Sequence, residues 1–217
     1  MKKFLIISNK QYNKTKYKNF FFDSKIDKKK IEKIKPKIIF FIFWSKKIDK
    51  KIFENHTCIQ FHVSDLPKFR GGSPIQNQIL RGIKKTNITA FRINSKIDRG
   101  DICMKQKFIL NGNAKSIREK IYDMAMKMIF KISNMKKINF KKQIGKGSFF
   151  KRRSPEESNL EYVKYTSLSK IYDFIRMLDD DVYPRAFLKI GDKKITFSNA
   201  KISKKNINGY FKIQKTY

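Results

Sequence analysis

Acidic residues, cysteine and long hydrophobic runs are all scarce in this chain of 217 residues. The two cysteines, Cys58 and Cys103, lie in or beside apolar stretches, which excludes a disulfide framework and favours a reducing compartment. The longest apolar run, residues 38–44, is far shorter than the ~20 residues of a membrane-spanning helix. The apolar run that follows the basic start is too short for a secretory signal. We therefore expect a soluble, cytoplasmic protein without a membrane partner.

The shortage of acid leaves 52 Lys and Arg residues against 18 Asp and Glu, a formal net charge of +34. Such a charge is typical of proteins that bind nucleic acids or anionic surfaces. Most of the basic residues are lysine, however, whereas nucleic-acid readers favour arginine for bidentate contacts. Lysine is accompanied here by abundant Ile, Asn, Phe and Tyr, as in AT-rich genomes. We favour compositional bias over a nucleic-acid partner and keep a polyanionic partner as the alternative.

Several apolar stretches have the pattern of buried strands. Continuous runs rich in β-branched and aromatic residues are typical of parallel strands that are covered on both faces. The predicted strands are residues 3–8, 37–43, 58–62 and 89–93, followed by a hairpin-like segment at 103–110. Ligand chemistry in open α/β sheets gathers at the carboxyl ends of such strands.

Helices are predicted between these strands. Residues 28–35 form a short helix ended by Pro36, and Ser73-Pro74 supplies an N-cap and first residue for a helix that stops at Gly82. Ser116-x-x-Glu119 predicts a capping box before an apolar helical stripe that includes Ile117, Ile121, Met124 and Met128. The fold class is therefore α/β, with a Rossmann-like, mostly parallel sheet flanked by helices.

A basic stretch at residues 134–150 predicts the domain boundary. We expect a catalytic domain at 1–148 and a small α+β subdomain at 149–217, which holds a helix at 168–178. Gly145-Lys-Gly147 follows no predicted strand, so we interpret it as a loop and not as a phosphate cradle.

Two residues stand out as candidates for chemistry. His62 ends a predicted strand and precedes a turn rich in Pro and Gly, while Asp98 begins the tight turn Asp98-Arg-Gly100. Such turns bring backbone close to a ligand. His56 lies in a polar stretch and is assigned to the surface. No His, Cys, Asp and Glu cluster has the spacing of metal ligands, so no metal is expected.

The chain resembles the formyltransferase family that uses N10-formyltetrahydrofolate, on a pattern in two parts: His62-x-Ser64-x-Leu66-Pro67-x-x-Arg70-Gly71-x-x-Pro74, then Asp98-x-Gly100-x-Ile102. The resemblance covers roughly residues 37–200. Three stretches, Phe61–Pro67, Arg70–Asn77 and Phe150–Ser158, are most similar to the branch that formylates amino sugars on nucleotide carriers for polysaccharide and O-antigen synthesis.

The resemblance implies direct transfer of a formyl group from the folate to an amine. Its catalytic triad falls on Gln60, His62 and Asp98, with His62 as general base and Asp98 as its partner. Gln60 stands where the family usually has Asn. Only 61 residues precede His62, where the family usually has about a hundred, so the N-terminal part of the domain is expected to be shortened.

The folate contacts are also implied by the resemblance, whereas the acceptor contacts are our own expectation. The folate slot is expected to be walled by Phe43, Trp44, Ser45, Ile97 and Asp98. The acceptor is expected to contact Arg70, Gln76, Asn77 and Arg152.

Three functions stay open. The leading one is N-formylation of a dTDP-, GDP- or UDP-linked amino sugar, with members of the family often pairing as homodimers. The first alternative is a methionyl-tRNA formyltransferase-like enzyme, which the net charge of +34 favours and the small C-terminal part opposes. The second is a catalytically inactive basic binding protein with the same fold.

Overall fold

The computed structural model describes residues 4–8, 21–163 and 167–215. Contacts divide the chain into two compact units, each built from separate segments. The first unit comprises residues 1–70, 87–108 and 121–149, and the second comprises 71–86, 109–120 and 150–217. The predicted boundary at 148/149 lies one residue from a point where the chain passes between the units, at 149/150. The division into two domains there stays a prediction.

A six-stranded sheet forms the centre of the first unit. Its strands are β1 (Phe4–Ser8), β2 (Phe21–Asp23), β3 (Ile38–Ile42), β4 (Thr57–His62), β6 (Lys85–Arg92) and β7 (Ile102–Ile109). They lie in the order β2-β1-β3-β4-β6-β7. The first four strands in that order pair in parallel, and β4 pairs with β6 in the antiparallel sense. The predicted α/β fold class with a mostly parallel sheet is confirmed.

The apolar strands owe their pattern to burial on both faces. Every residue of β1 and of β3 is buried. On one face, Phe40 contacts Phe4 and Phe61 at ring-centroid distances of 5.6 and 6.1 Å. Helices α1 (Lys28–Ile34) and α2 (Lys50–Asn55) contribute buried isoleucines to the core on the opposite face. The helix α2 has no counterpart in the sequence prediction.

The second unit contains α3 (Pro74–Ile79), α5 (Leu168–Arg176) and a three-stranded antiparallel sheet. The strands of that sheet are β9 (Phe187–Ile190), β10 (Lys193–Ile202) and β11 (Ile207–Lys215), with β10 in the centre. The predicted α+β character of this part is therefore observed. The two-residue strands β5 (Arg70–Gly71) and β8 (Phe149–Phe150) pair with each other.

The long helix α4 (Ala114–Asn134) begins earlier than predicted. Asn113, and not Ser116, supplies the cap, because its Oδ1 accepts a hydrogen bond from the backbone N–H of Ser116 at 3.0 Å. The predicted capping box is therefore wrong, since asparagine caps a helix as well as serine does. The predicted stripe is observed, with Ile117, Ile121 and Met128 buried.

Ser73 also has a role that differs from the predicted N-cap. Its backbone is left-handed, with φ 49°, and its side chain makes no capping hydrogen bond to α3. Instead, its Oγ accepts a hydrogen bond from the backbone N–H of Arg153 at 3.1 Å. The helix still begins at Pro74, whose fixed φ suits the first helical position. Within the described residues, no helix is both long and apolar enough to cross a membrane.

Candidate active site

The site is assembled at the carboxyl edge of the parallel strands. His62 is the last residue of β4, and Ile42 of β3 lies in register with Phe61. Residues 43–45, which follow β3, therefore leave the sheet at the same edge as His62. This is the edge where open α/β sheets bind their ligands.

The His62 ring is held between two acceptors. Its Nε2 lies 2.6 Å from the carbonyl oxygen of Phe69, and its Nδ1 lies 3.7 Å from Oδ2 of Asp98. Because a carbonyl oxygen can only accept, Nε2 carries a proton in this arrangement. Both side chains of the His62–Asp98 pair are 7 % exposed. A proton taken up at Nδ1 would face the Asp98 carboxylate in a largely dehydrated setting, where charges interact strongly.

The two groups beside His62 belong to residues with unusual backbone. Phe69 has φ 56° and Asp98 has φ 51°. Non-glycine residues rarely occupy the left-handed region and stay there only when their surroundings hold them. The turn that contains Phe69 also includes a cis peptide bond at Leu66–Pro67.

The Gln60 side-chain amide hydrogen-bonds to the backbone. Its Nε2 donates to the carbonyl oxygen of Trp44 at 3.1 Å, which ties the segment after β3 to β4. The Trp44 ring packs against Phe41 with ring centroids 5.8 Å apart and belongs to the hydrophobic core. Its Nε1 is buried and has no hydrogen-bond partner among the described residues. The indole thus lies in the core, and only a small part of it is exposed.

The other predicted folate contacts border this edge. Phe43 is half-buried and has a left-handed backbone, with φ 51°, while Ser45 is exposed. Ile97 precedes Asp98, and 67 % of it is exposed. An exposed isoleucine beside a buried catalytic candidate offers an apolar surface to a flat ring. All five predicted folate contacts, Trp44 included, remain predictions.

Arg70, a predicted acceptor contact, is engaged within the first unit. Its Nε donates to the Asp98 carbonyl oxygen at 3.2 Å, and its Nη2 donates to Oε1 of Gln143 at 2.6 Å. Burial lowers the pKa of the Arg70 guanidinium, and the nearby Arg99 lowers it further. Arginine nevertheless remains protonated at working pH. The guanidinium thus contacts the backbone of the Asp98 turn.

The other predicted acceptor contacts lie in the second unit. Gln76 and Asn77 are buried in α3, and their amide groups donate to backbone carbonyl oxygens of Met177 and Gly72. Arg152 is exposed, and its backbone lies so close to Gly72 that a Cβ there would be 2.5 Å from the Arg152 nitrogen. Their roles in acceptor binding remain predictions.

Two residues of the first unit were not singled out by the sequence. Gln143 and Ser148 both hydrogen-bond to the loops that flank His62. The polar, glycine-containing segment from 143 to 148 has no periodicity that would have marked them. Within the part of the chain that the structure describes, no group of three or more His, Cys, Asp or Glu residues could hold a metal ion.

This edge therefore carries a buried histidine–carboxylate pair. A family model described as "Formyl transferase" matches residues 4–131, and one described as "Methionyl-tRNA formyltransferase, C-terminal domain" matches residues 155–214. The chain belongs to the formyl transferase family. The predicted family and enzyme class are therefore confirmed.

Individual relatives extend this comparison. A solved structure of methionyl-tRNA formyltransferase from Clostridium thermocellum is 37 % identical, with a TM-score of 0.90, and the match covers 99 % of this chain and 100 % of that one. The methionyl-tRNA formyltransferase of Thermodesulfovibrio yellowstonii is 27 % identical over 82 % of this chain, which spans 59 % of that relative's length. A sugar N-formyltransferase structure from a Shewanella species has a TM-score of 0.65 at 16 % identity, covering 93 % of this chain and 98 % of that one, and so shares the fold.

Proposed function

We propose that this chain transfers a formyl group from N10-formyltetrahydrofolate to a primary amine. The observation that carries the proposal is the buried His62–Asp98 pair at the carboxyl edge of the sheet, with Nδ1 and Oδ2 separated by 3.7 Å. A transfer of this kind requires a group that takes a proton from an amine near neutral pH. Histidine is the side chain suited to that task, and a carboxylate beside it stabilises the imidazolium.

The proposed reaction forms one C–N bond and breaks another. The amine nitrogen attacks the formyl carbon and gives a tetrahedral oxyanion, which collapses as the bond from that carbon to N10 breaks. The His62–Asp98 pair takes the proton that the amine loses and returns it to the departing N10. Gln60 contributes by fixing the Trp44 backbone beside the site, because its amide nitrogen already donates to that carbonyl. Much of the acceleration would come from holding the two substrates together.

The proposed folate position is supported by what borders His62. Residues 43–45 follow β3 at the edge where His62 ends β4, the segment 96–98 contains Asp98 of the pair, and Ile97 in that segment exposes apolar surface. The family to which the chain belongs supports the choice of a formyl-carrying folate as co-substrate. The pterin would be held through backbone groups of these segments and the Ile97 side chain.

Methionyl-tRNA is the acceptor that we propose. Residues 155–214 match the C-terminal domain of methionyl-tRNA formyltransferases, and the Clostridium thermocellum relative is similar along its whole length. Asp192 is the only acidic residue between residues 187 and 215. The exposed lysines of that segment are Lys189, Lys193, Lys201, Lys204, Lys205, Lys212 and Lys215. Such a surface suits a phosphate backbone. We therefore propose that the positive charge serves tRNA binding, although the sequence alone favoured compositional bias as its origin.

A nucleotide-linked amino sugar is the second candidate acceptor. It is favoured by the segments Phe61–Pro67 and Phe150–Ser158, whose sequences resemble the sugar branch of the family. In the second unit, the backbone N–H of Arg153 donates to Ser73, and the Glu157 side chain accepts from the backbone N–H of Ser154 at 2.6 Å. These contacts order the segment at the start of α3, where Gln76 and Asn77 were predicted to meet the sugar nucleotide.

One experiment separates the candidates. The full chain is incubated with N10-formyltetrahydrofolate and either methionyl-tRNA or a panel of dTDP-, GDP- and UDP-linked amino sugars, and mass spectrometry detects the added formyl group. We expect formylation of methionyl-tRNA, while a product only in the sugar arm would transfer the assignment to the second candidate. Absence of transfer in all arms, together with absence of folate binding, would support the inactive binding protein.

A variant tests the role of His62. His62→Ala removes the proton acceptor, and we expect a loss of at least ~10²-fold in kcat, the scale of general base catalysis. His56→Ala is the matched control, because the other histidine is half-buried and its Nδ1 lies 3.2 Å from the Pro36 carbonyl oxygen. Near-normal turnover in His62→Ala would refute the proposed mechanism.

A further inference from the structure

The segment from Gln143 to Ser148, which we call the clip, hydrogen-bonds to the backbone of both residues whose polar groups hold the His62 ring. One group is the carbonyl of Phe69, which accepts from Nε2, and the other is the carboxylate of Asp98. Both belong to residues with left-handed backbone, so neither is in a conformation that it would adopt without restraint. The restraint must therefore come from neighbouring parts of the chain.

Ser148 restrains the Phe69 side of the ring. Its Oγ accepts from the backbone N–H of Phe69 at 2.8 Å, and its carbonyl oxygen accepts from the N–H of Arg70 at 2.9 Å. Its own N–H donates to the Pro67 carbonyl oxygen at 3.3 Å. Ser148 thus makes three hydrogen bonds to the short turn that contains Phe69, whose carbonyl oxygen accepts the hydrogen bond from His62.

Gln143 restrains the Asp98 side. Its Nε2 donates to the carbonyl oxygens of Asp98 and Gly100, both at 2.8 Å. Its Oε1 accepts from Nε and Nη2 of Arg70 at 3.1 and 2.6 Å. Arg70 in turn donates to the same Asp98 carbonyl at 3.2 Å. One side-chain amide therefore ties the Asp98 turn to the residue that follows Phe69.

The close approach of the clip supports this interpretation. A Cβ on Gly147 would lie 2.6 Å from Nη1 of Arg70 and 3.0 Å from the carbonyl oxygen of Pro67. Only glycine lets the clip lie this near to the turn and to the Arg70 guanidinium. The segment is therefore more than the plain loop that the sequence predicted.

We propose that Gln143 and Ser148 are positioning residues for formyl transfer, each fixing one of the two groups between which the His62 ring is held. The proposal rests on the proposed function for its kinetic consequence, but its structural content concerns His62 alone. Neither residue is expected to touch a substrate. Their effect reaches the reaction through the orientation of the imidazole and of Asp98, as the groups that orient a catalytic ligand commonly do.

The histidine content of the chain provides a direct test. With only two histidines, a sample labelled with ¹⁵N-histidine gives one ring to follow and one internal reference, His56. His62→Ala assigns the signals by removing one set. In Gln143→Ala we expect the Nδ1 signal of His62 to move, because Nδ1 faces Asp98. In Ser148→Ala we expect the Nε2–H signal to move, because Nε2 donates to Phe69.

Two further variants sharpen the test. Gln143→Glu keeps an acceptor for Arg70 but loses the donor to Asp98 and Gly100, so it should shift the Nδ1 signal without breaking the contact with Arg70. Gln78→Ala is the matched control, because that buried glutamine also bridges two partners, donating to the Pro74 carbonyl oxygen and accepting from Thr86 Oγ1. It contacts neither loop beside His62, so both His62 signals should stay in place.

Kinetics add the functional readout. Misplacement of a reacting group by about 1 Å can cost on the order of 10²-fold in rate, so we expect kcat to fall by up to that factor in Gln143→Ala. The KM values for folate and acceptor should change less than kcat, because the clip reaches both substrates only through Arg70 and the Asp98 turn, which it holds.

The outcomes distinguish the two proposals. Unchanged His62 ring signals in both Gln143→Ala and Ser148→Ala would refute the positioning role, whatever the activity. Shifted signals in a chain that transfers no formyl group would support the positioning role and refute the proposed function. A shift of the His56 signals together with those of His62 would show general loosening of the fold and overturn the specific role of the clip.

Discussion

Gly100 provides a sharp test of how tightly the Asp98 turn is held. A Cβ at this position would lie 2.7 Å from the carbonyl carbon of Arg92, closer still to its oxygen, and 3.3 Å from Cδ2 of Phe91. Atoms of this kind normally stay about 3.5 Å or more apart, and the oxygen is the closest of them, so Gly100→Ala must push the turn away from Arg92 by roughly 1–2 Å. Arg92 is held from its other side, because it belongs to β6 and pairs there with Ile59 of β4.

The expected cost has two components. Overpacking of a close contact destabilises a fold by about 1–3 kcal/mol, which urea unfolding would register as a lower midpoint. The displacement also enlarges the gap between Asp98 and His62, now 3.7 Å, and we expect kcat to fall by on the order of 10²-fold. The KM for the folate should change less than kcat.

A second glycine serves as control. Gly82 has φ +71°, and a Cβ added to it would meet nothing within 4 Å, so Gly82→Ala incurs backbone strain of about 1–2 kcal/mol without a clash. It should lose stability but retain kcat. A Gly100→Ala variant with wild-type turnover and unfolding midpoint would refute the reasoning, because the turn would then accommodate a Cβ without a clash.

Two further predictions concern buried groups away from the site. Burial raises the pKa of the Cys58 and Cys103 thiols to about 12 from an ordinary 9.0. Cys58 is buried, so at pH 8 a thiol reagent should label it only in urea, whereas the half-buried Cys103 should react slowly in the native chain, and rapid labelling of Cys58 in the native chain would contradict this. Because their folded-state pKa values are raised, their contribution to stability is fully present below pH 9.0 and is lost as pH rises toward 12. Arg118 and Asp180 form a buried ion pair in the second unit, with Nε 2.5 Å from Oδ2, so Arg118→Met should destabilise by about 3–5 kcal/mol in urea unfolding. The double variant Arg118→Met/Asp180→Leu should recover much of the lost free energy of unfolding. If it does not, the unpaired charge of Asp180 is not the cause of the loss.

The sequence predicted the sheet because its central strands are buried on both faces. Burial on both sides demands an unbroken apolar run, and that pattern is visible in β1 and β3 without any tertiary information. The strand β11 was missed for the opposite reason. It lies at the edge of its sheet and is exposed along almost its whole length, so lysine, asparagine and glutamine alternate with its apolar residues. No burial constraint acts on such a strand, and its pattern resembles that of a loop.

The site residues also divide into those whose roles could be predicted from the sequence and those whose roles could not. His62 and Asp98 stood out by their positions at a strand end and in a turn, the resemblance assigned them their roles, and the structure brings the two side chains together. Gln76 and Asn77 were expected to contact the acceptor, and both are buried in α3 with their amides on backbone carbonyls. The sequence does not distinguish a polar side chain that hydrogen-bonds within the protein from one that binds a substrate. The difference lies in the groups that surround the amide in the folded protein.

Gln143 shows why positioning residues are the hardest part of a site to predict. The position requires a side chain that donates to two carbonyl oxygens and accepts from a guanidinium at the same time. Only an amide meets both demands, since lysine would lack the acceptor and glutamate the donor. That requirement arises from two loops that are far from residue 143 in the chain and meet it only in the folded protein. The residue type is thus dictated as strictly as that of His62, but by hydrogen-bonding geometry that leaves no local pattern in the sequence.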